Sequence, residues 1–230
     1  NSGATAALAW GFLGTARGIL SSYWRYMVRD DGGVKYRGAM LPGYGRMLTV
    51  LAQYVTTTDD DSILSAGSEE GQDIRRHVDA VVAKLEKRIA RAQQLPADDI
   101  AHGLPLGCDE ADSCQEYGTF IGSDGDLPYF SAAMEVWRGL RDLGRVYDHQ
   151  TALQRKADGQ KLLAVATKLA SNIAASWSKS KAEPRLAAVL CGGSVLLLRV
   201  SATPPAVDQQ PAVDQQPHRV GLQLRQVGDV

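Results

Sequence analysis

Apolar residues recur at helical spacing along most of the chain, beginning with its first thirty residues. The apolar positions of this first stretch are Leu8, Phe12, Ile19, Tyr23 and Met27. Their spacing fits one helical face. Gly11, Gly14 and Gly18 lie on the same stretch, and each glycine weakens a helix by roughly 1 kcal/mol against alanine. We therefore expect another helix to approach closely there.

Four further stretches show helical periodicity, and breaks separate them. Pro42 can open the second helix, and Ser68 before two glutamates is typical of the start of the third, which Pro96 ends. The apolar positions are Tyr44, Met47, Leu48, Leu51 and Val55; then Ile74, Val78, Val81, Leu85 and Ile89; then Phe130, Met134, Val136, Trp137, Leu140, Leu143 and Tyr147; and finally Leu162, Ala166, Leu169, Ile173 and Trp177. The fourth helix is apolar on two sides, which predicts burial between neighbours. The pattern predicts an all-α fold.

The C-terminal part of the chain has a different character. Residues 186–200 could form helix or strand, because periodicity does not decide so short an apolar run. Residues 205–210 read PAVDQQ and are repeated at once by 211–216, which is low complexity with little to bury. We predict a helical domain over 1–200 and a disordered tail over 201–230. The apolar run is too short to cross a bilayer, so we expect a soluble protein without a membrane span.

Composition and charge restrict the function further. The 230 residues carry 25 basic and 26 acidic side chains, a net charge of −1, which gives no electrostatic case for a nucleic-acid partner. No Walker loop or G-x-G-x-x-G motif is present, and the four histidines are scattered, so we predict no cofactor and no metal site. Cys108 and Cys114 are able to pair, and Cys191 would be left over, so the compartment stays undecided.

The densest carboxylates lie in the stretch 97–128, which has no helical period and is rich in Gly, Asp and Pro. Asp109, Glu110 and Asp112 occupy three of four consecutive positions. Carboxylates that close repel one another, which raises the pKa of one and can supply a general acid beside an ionised base. The alternatives are a solvated acidic loop, or carboxylates that cap the next helix.

A second candidate group follows this stretch and begins the fourth helix. Glu135 and Arg138 share a helix face and can form an exposed ion pair. Alternatively, Glu135 faces a cleft beside Tyr129 and Trp137, because the apolar faces of sugars stack on aromatic rings. The other interpretation of Trp137 is core packing.

A third candidate group lies on the glycine-rich turn after the first helical stretch. Asp31, Tyr36 and Arg37 are its polar residues, together with Asp30. Loops at helix ends often line binding clefts. An ordinary turn, in which Asp forms local hydrogen bonds, is at least as good an explanation.

Three segments, in this order, resemble the six-hairpin glycosidase-like proteins, whose fold is an (α/α)6 toroid. They are YRGAMLPGYGRMLTVLAQYVTTTDD, GLPLGCDEADSC and LPYFSAAMEVWRGLRDLGRV. The resemblance spans about residues 25–150. It implies antiparallel helical hairpins, a carbohydrate partner and hydrolysis of glycosidic bonds by paired carboxylates on loops at one rim. The implied catalytic candidates are Asp109, Glu110, Asp112 and Glu135. The implied substrate-binding residues are Asp31, Tyr36, Arg37, Tyr129, Trp137 and Arg138.

The chain departs from this family in its number of helices. A complete toroid has twelve, whereas the pattern predicts five clear helices and leaves a sixth open, so we expect a partial toroid. Its uncovered helix faces predict self-association or poor solubility. The sequence leaves open whether the chain is an enzyme, a non-catalytic helical module that binds glycan or protein, or an inactive truncated remnant. An enzyme needs two carboxyl groups about 5–9.5 Å apart on one cleft.

Overall fold

The computed structural model describes residues 2–35, 40–107 and 128–182, together with the backbone of two short strands at 187–191 and 194–198. Several predictions fall outside the described residues. They concern Tyr36, Arg37, Asp109, Glu110, Asp112 and the tail 201–230.

Six α-helices form the described fold, which confirms the predicted all-α class. They are α1 (Ser2–Ala9), α2 (Leu13–Ser22), α3 (Leu41–Thr58), α4 (Glu69–Ala92), α5 (Phe130–His149) and α6 (Lys156–Ala182). A π-helical turn (Tyr23–Met27) extends α2, and 3-10 turns (Asp61–Leu64 and Thr151–Leu153) precede α4 and α6. After α6, the sequence pattern allowed either helix or strand. The structure has two antiparallel strands there, β1 (Ala187–Cys191) and β2 (Ser194–Leu198), with Ala187 opposite Leu198.

The helices follow one another as three antiparallel hairpins, α1–α2, α3–α4 and α5–α6. In the first, a Cβ added to Gly3 would lie 3.7 Å from the Ile19 side chain. In the last, the rings of Phe130 and Trp177 meet edge to face with centroids 5.4 Å apart. Each hairpin turns through a short connection, namely 10–12, 59–68 and 150–155.

Successive hairpins stack in the same direction, so that alternate helices are parallel. Gly45 near the start of α3 faces Glu135 near the start of α5, and at their far ends Gln150 donates to Asp59 at 3.1 Å. Helices α4 and α6 are parallel in the same way. Arg155, just before α6, pairs with Asp79 of α4 at 2.7 Å, and Lys161 of α6 pairs with Glu86 of α4 at 2.9 Å. As a result, residues 93–107, which follow α4, lie at the end opposite the short connections, and residues 28–35 run beside α4 towards that end, where Val34 meets Tyr44.

Glycines allow α5 to pack closely against both neighbours. A Cβ added to Gly45 of α3 would lie 2.6 Å from the Val136 backbone nitrogen, and one added to Gly139 would lie 3.0 Å from the Gly45 Cα. On the other side of α5, a Cβ on Gly159 of α6 would lie 2.7 Å from the Gly144 carbonyl oxygen. The prediction that the fourth periodic stretch is buried between other helices is confirmed.

The predicted apolar faces form the core, with a few exceptions. All five predicted positions of α3 and all five of α4 are buried, and Trp24, Tyr44 and Tyr147 are the largest fully buried side chains. Ser68 caps α4 as predicted, because its hydroxyl accepts a hydrogen bond from the Gly71 amide at 3.0 Å. Met134 and Trp177 are exceptions, since nearly half of each residue is exposed. The predicted face of the first stretch is wrong, because Phe12 is exposed and none of its other four positions is fully buried.

The first periodic stretch is two helices, and the prediction of one continuous face is wrong. Gly11, at φ +75°, ends α1: its amide bonds to the Leu8 carbonyl at 3.1 Å, and the Phe12 amide bonds to the Ala7 carbonyl at 2.8 Å. These two bonds are the Schellman ending of a helix. The expected close approach of a helix is also wrong, because no described atom lies within 4 Å of a Cβ added to Gly11, Gly14 or Gly18.

A polar network fastens the first hairpin to the second. The Arg17 guanidinium contacts the carboxylates of Asp60 at 2.5 Å and Glu70 at 2.8 Å, and Tyr54 donates to Asp60 at 2.5 Å. Burial raises the pKa of Asp60, but hydrogen bonds from Ser62 and Tyr54 and the charge of Arg17 outweigh it and hold that pKa at about 2.

Replacing Gly139 by Ala is expected to lower the free energy of unfolding by about 1–3 kcal/mol, because the added methyl group overlaps the α3 backbone. The measurement is urea denaturation. Gly3→Ala is the matched control, since its methyl group meets Ile19 at an ordinary contact distance and should leave stability unchanged or slightly higher. Equal stability of the two variants would contradict the close α3–α5 contact.

Acid should loosen the attachment of the first hairpin. Because the pKa of Asp60 is lower in the folded than in the unfolded chain, Asp60 stabilises the fold above about pH 4, and this contribution is lost as the pH falls towards 2. Thermal melts across this range should show a weaker pH dependence for Asp60→Asn than for the parent. Asp61→Asn, the neighbouring carboxylate, is the control and should keep the parent's pH dependence.

Candidate functional site

The two long connections meet at one end of the hairpin stack. The connection 28–40 leads into α3, and 93–129 leads into α5, which runs parallel to α3. Leu106 and Pro128 form an antiparallel backbone bridge, so the two ends of segment 108–127 lie side by side. Among the described site residues, Tyr129 and Glu135 lie at the start of α5 at this end, whereas Asp30 and Asp31 lie beside α4 and contact Arg76 and Lys84.

A buried cluster joins the two connections. The Tyr44 hydroxyl of α3 has a hydrogen bond with the Val34 backbone, and burial raises the pKa of Tyr44 although the charge of Arg88 opposes this. Arg88 of α4 donates to the Leu106 carbonyl at 2.6 Å. A Cβ added to Gly107 would lie 2.7 Å from the Leu41 side chain, so Gly107 lies directly against the start of α3.

Glu135 is held by an arginine that sequence analysis did not single out. Its carboxylate accepts a hydrogen bond from Arg46 Nε of α3 at 3.0 Å, and one quarter of its side chain is exposed. Arg138 instead lies 3.6 Å from Asp142, so the predicted pairing of Glu135 with Arg138 is wrong. The reason is that the close packing of α3 on α5 brings Arg46 within reach.

The aromatic candidates lie in different surroundings. Tyr129 is buried at the start of α5. Trp137 is partly buried, packs against the core, and carries the Arg141 guanidinium 4.5 Å from its ring centroid. The position of Arg141 is a cation–π contact, which occupies part of the ring surface that a sugar would need. Core packing therefore explains the buried part of the Trp137 side chain, in agreement with the alternative interpretation.

Asp31 forms the local turn that the alternative interpretation described. Its carboxylate accepts the Gly33 amide at 2.8 Å and lies 3.2 Å from Arg29 and 3.9 Å from Lys84. The Gly33 hydrogen bond is the main cause that lowers the pKa of Asp31, and the hydrogen bond from Arg76 is the main cause that lowers the pKa of Asp30. Both carboxylates are ionised at neutral pH and are therefore unsuited to donate a proton.

The residues that sequence analysis missed are Tyr44, Arg46 and Arg88, which fix the ends of the connections. No local signal identifies them, because their partners are distant in the chain; Arg46 and Glu135 are 89 residues apart. A groove of about 170 Å³ between α4 and α6 was also not predicted. It is lined by Glu86, Ile89, Ala90, Gln93, Val165, Lys168, Leu169 and Asn172, and includes none of the predicted site residues.

Comparison with known proteins found no matching family model, no matching curated protein and no matching solved structure. The resemblance to six-hairpin glycosidase-like proteins therefore stays a prediction. In the described part of the chain, no helix combines the length and apolar character needed to cross a membrane. The described ranges also contain no group of three or more His, Cys, Asp or Glu side chains arranged to hold a metal ion.

Arg88→Met should loosen the junction between the two connections. Methionine keeps much of the apolar stem but leaves the buried Leu106 carbonyl without this donor, which we expect to cost about 1–3 kcal/mol. Hydrogen exchange of the Leu104, Leu106 and Gly107 amides should accelerate. Lys87→Met, on the exposed face of the same helix, is the control and should leave exchange unchanged. Unchanged exchange in both variants would show that Arg88 does not fix this junction.

Proposed function

We propose that this chain binds a carbohydrate where the connections 28–40 and 93–129 meet, and that it is a partial helical toroid related to glycoside hydrolases. The observation that carries the proposal is the parallel stacking of α3 and α5, which brings Val34, Leu106 and Pro128, the described residues nearest to these two helix starts, to one end. Ligand-binding residues are commonly supplied by loops that a rigid scaffold gathers in this way.

The spacing of the helices also favours the toroid. Glycines bring α3 and α5 into backbone contact, whereas long Arg155 and Lys161 side chains span the space between α4 and α6. Hairpins that are close on one side and wider on the other produce a curved stack, with α3 and α5 on the inner side. A toroid of helical hairpins requires such curvature.

Hydrolysis would need one carboxyl group to protonate the leaving oxygen and a second to act as base or nucleophile. Asp30 and Asp31 are ionised, so the proton donor in this proposal comes from Asp109, Glu110 or Asp112. Glu135 is the proposed second carboxyl group, and its hydrogen bond from Arg46 at 3.0 Å fixes its position. The proposed substrate-binding residues are Asp31, Tyr36, Arg37, Tyr129, Trp137 and Arg138.

A second candidate function is a non-catalytic module that binds glycan. Two observations favour it: Glu135 is engaged by Arg46, and Arg141 covers part of the Trp137 ring. This alternative predicts binding without turnover. We also propose that uncovered helix faces allow copies of this chain to associate.

Thermal melts with a panel of oligosaccharides test the proposed function. One glycan should raise the midpoint, because only binding to the native state does so. If that glycan is hydrolysed, at least one of Asp109→Asn, Glu110→Gln and Asp112→Asn should slow hydrolysis by roughly 10²-fold or more, and Glu135→Gln should slow it as well.

Asp98→Asn is the matched control, because Asp98 is an exposed carboxylate of the same connection. Binding without hydrolysis in the parent would support the module instead of the enzyme. No midpoint shift with any glycan would count against both, and full activity in all four amide variants would remove these carboxylates from catalysis.

A further inference from the structure

The turn between α1 and α2 and the first residue of α2 expose three large apolar side chains within four positions. Trp10 is 78% exposed, Phe12 63% and Leu13 39%. The middle hairpin, α3–α4, has no large hydrophobic side chain exposed to this degree among its described residues. Isolated apolar residues on a surface are ordinary, but a contiguous group such as this one marks an interaction site.

Two glycines on the same hairpin have no neighbour to explain them. Gly14 and Gly18 are four residues apart in α2 and share one face, and no described atom lies within 4 Å of a Cβ added to either. Glycine weakens a helix, and this cost is offset where the missing side chain allows another helix to approach closely. Elsewhere in this chain helix glycines do allow it, since Gly45 and Gly139 bring two helices into backbone contact.

The absence of charge indicates which partner fits this surface. Residues 1–16 contain no Lys, Arg, Asp, Glu or His, and Arg17, the first charged side chain, already pairs with Asp60 and Glu70. In a twofold dimer the same patch faces itself, so any charge on it would meet its own copy. An uncharged patch avoids that repulsion. The same lack of basic side chains disfavours an anionic membrane.

We propose that the α1–α2 hairpin is a self-association surface on which a second copy of this chain docks. Trp10, Phe12 and Leu13 pack against the partner, and α2 approaches it closely at Gly14 and Gly18. The docking removes the apolar turn from water and gives the two glycines the helix neighbour that the described residues do not supply. This inference does not depend on the proposed carbohydrate site, which lies at the opposite end of α1.

Sedimentation equilibrium over a range of protein concentrations tests the proposal on the full chain. The parent should form dimers in a concentration-dependent manner. The double variant Trp10→Ser/Phe12→Ser should raise the dimer dissociation constant at least tenfold, because buried Trp anchors dominate such interfaces. Met134→Ser is the matched control: Met134 is 47% exposed but lies on α5, so its variant should dimerise like the parent.

Gly18→Ala separates the interface from effects on folding. In the monomer, alanine meets open space and favours the helix, so the melting midpoint of dilute protein should rise. The same methyl group should weaken the dimer by holding the partner helix away. A stabilised monomer that dimerises less is the expected result.

Three outcomes would overturn the proposal. One is a parent chain that stays monomeric at every concentration, and the second is undiminished dimerisation of both the double variant and Gly18→Ala. The third is a monomeric parent that cosediments with phosphatidylcholine vesicles through Trp10 and Phe12, which would assign the patch to a lipid surface.

Discussion

The backbones of α3 and α5 touch at Gly45 and Gly139, and the placement of the other helices depends on this contact. A Cβ on either glycine would overlap the facing helix, so no other residue type allows the same approach. With these two helices parallel and in contact, their hairpin partners α4 and α6 are parallel as well, and ion pairs of long side chains join them. The direction of stacking then decides which connections share an end.

Several features of this arrangement could be predicted from the sequence, and others depend on contacts that no local pattern encodes. Long periodic stretches fix α3 and α4, because ten residues at helical spacing leave few alternatives, and Ser68 marks where α4 begins. The break at Gly11 was missed because Phe12 happens to fit the spacing of the neighbouring apolar residues. The Arg46–Glu135 pair was missed because only the packing of α3 on α5 brings its members together.

The charged partners of the described carboxylates restrict which carboxyl groups could act in hydrolysis. Arginines or backbone amides hold the described carboxylates Asp30, Asp31 and Glu135. Carboxylates held in this way are suited to orient a ligand. Because the lowered pKa values of Asp30 and Asp31 keep both ionised, the enzyme hypothesis takes its proton donor from the candidates that the sequence predicts, Asp109, Glu110 and Asp112.

The same use of glycine connects the core to the surface. Gly45 faces Gly139, and Gly144 faces Gly159, so a close helix neighbour offsets the entropic cost of these four glycines. Gly14 and Gly18 incur that cost on a face that no described residue covers, beside three exposed apolar side chains. A second chain at α1–α2 would supply the kind of close helix contact that Gly45, Gly139, Gly144 and Gly159 already have.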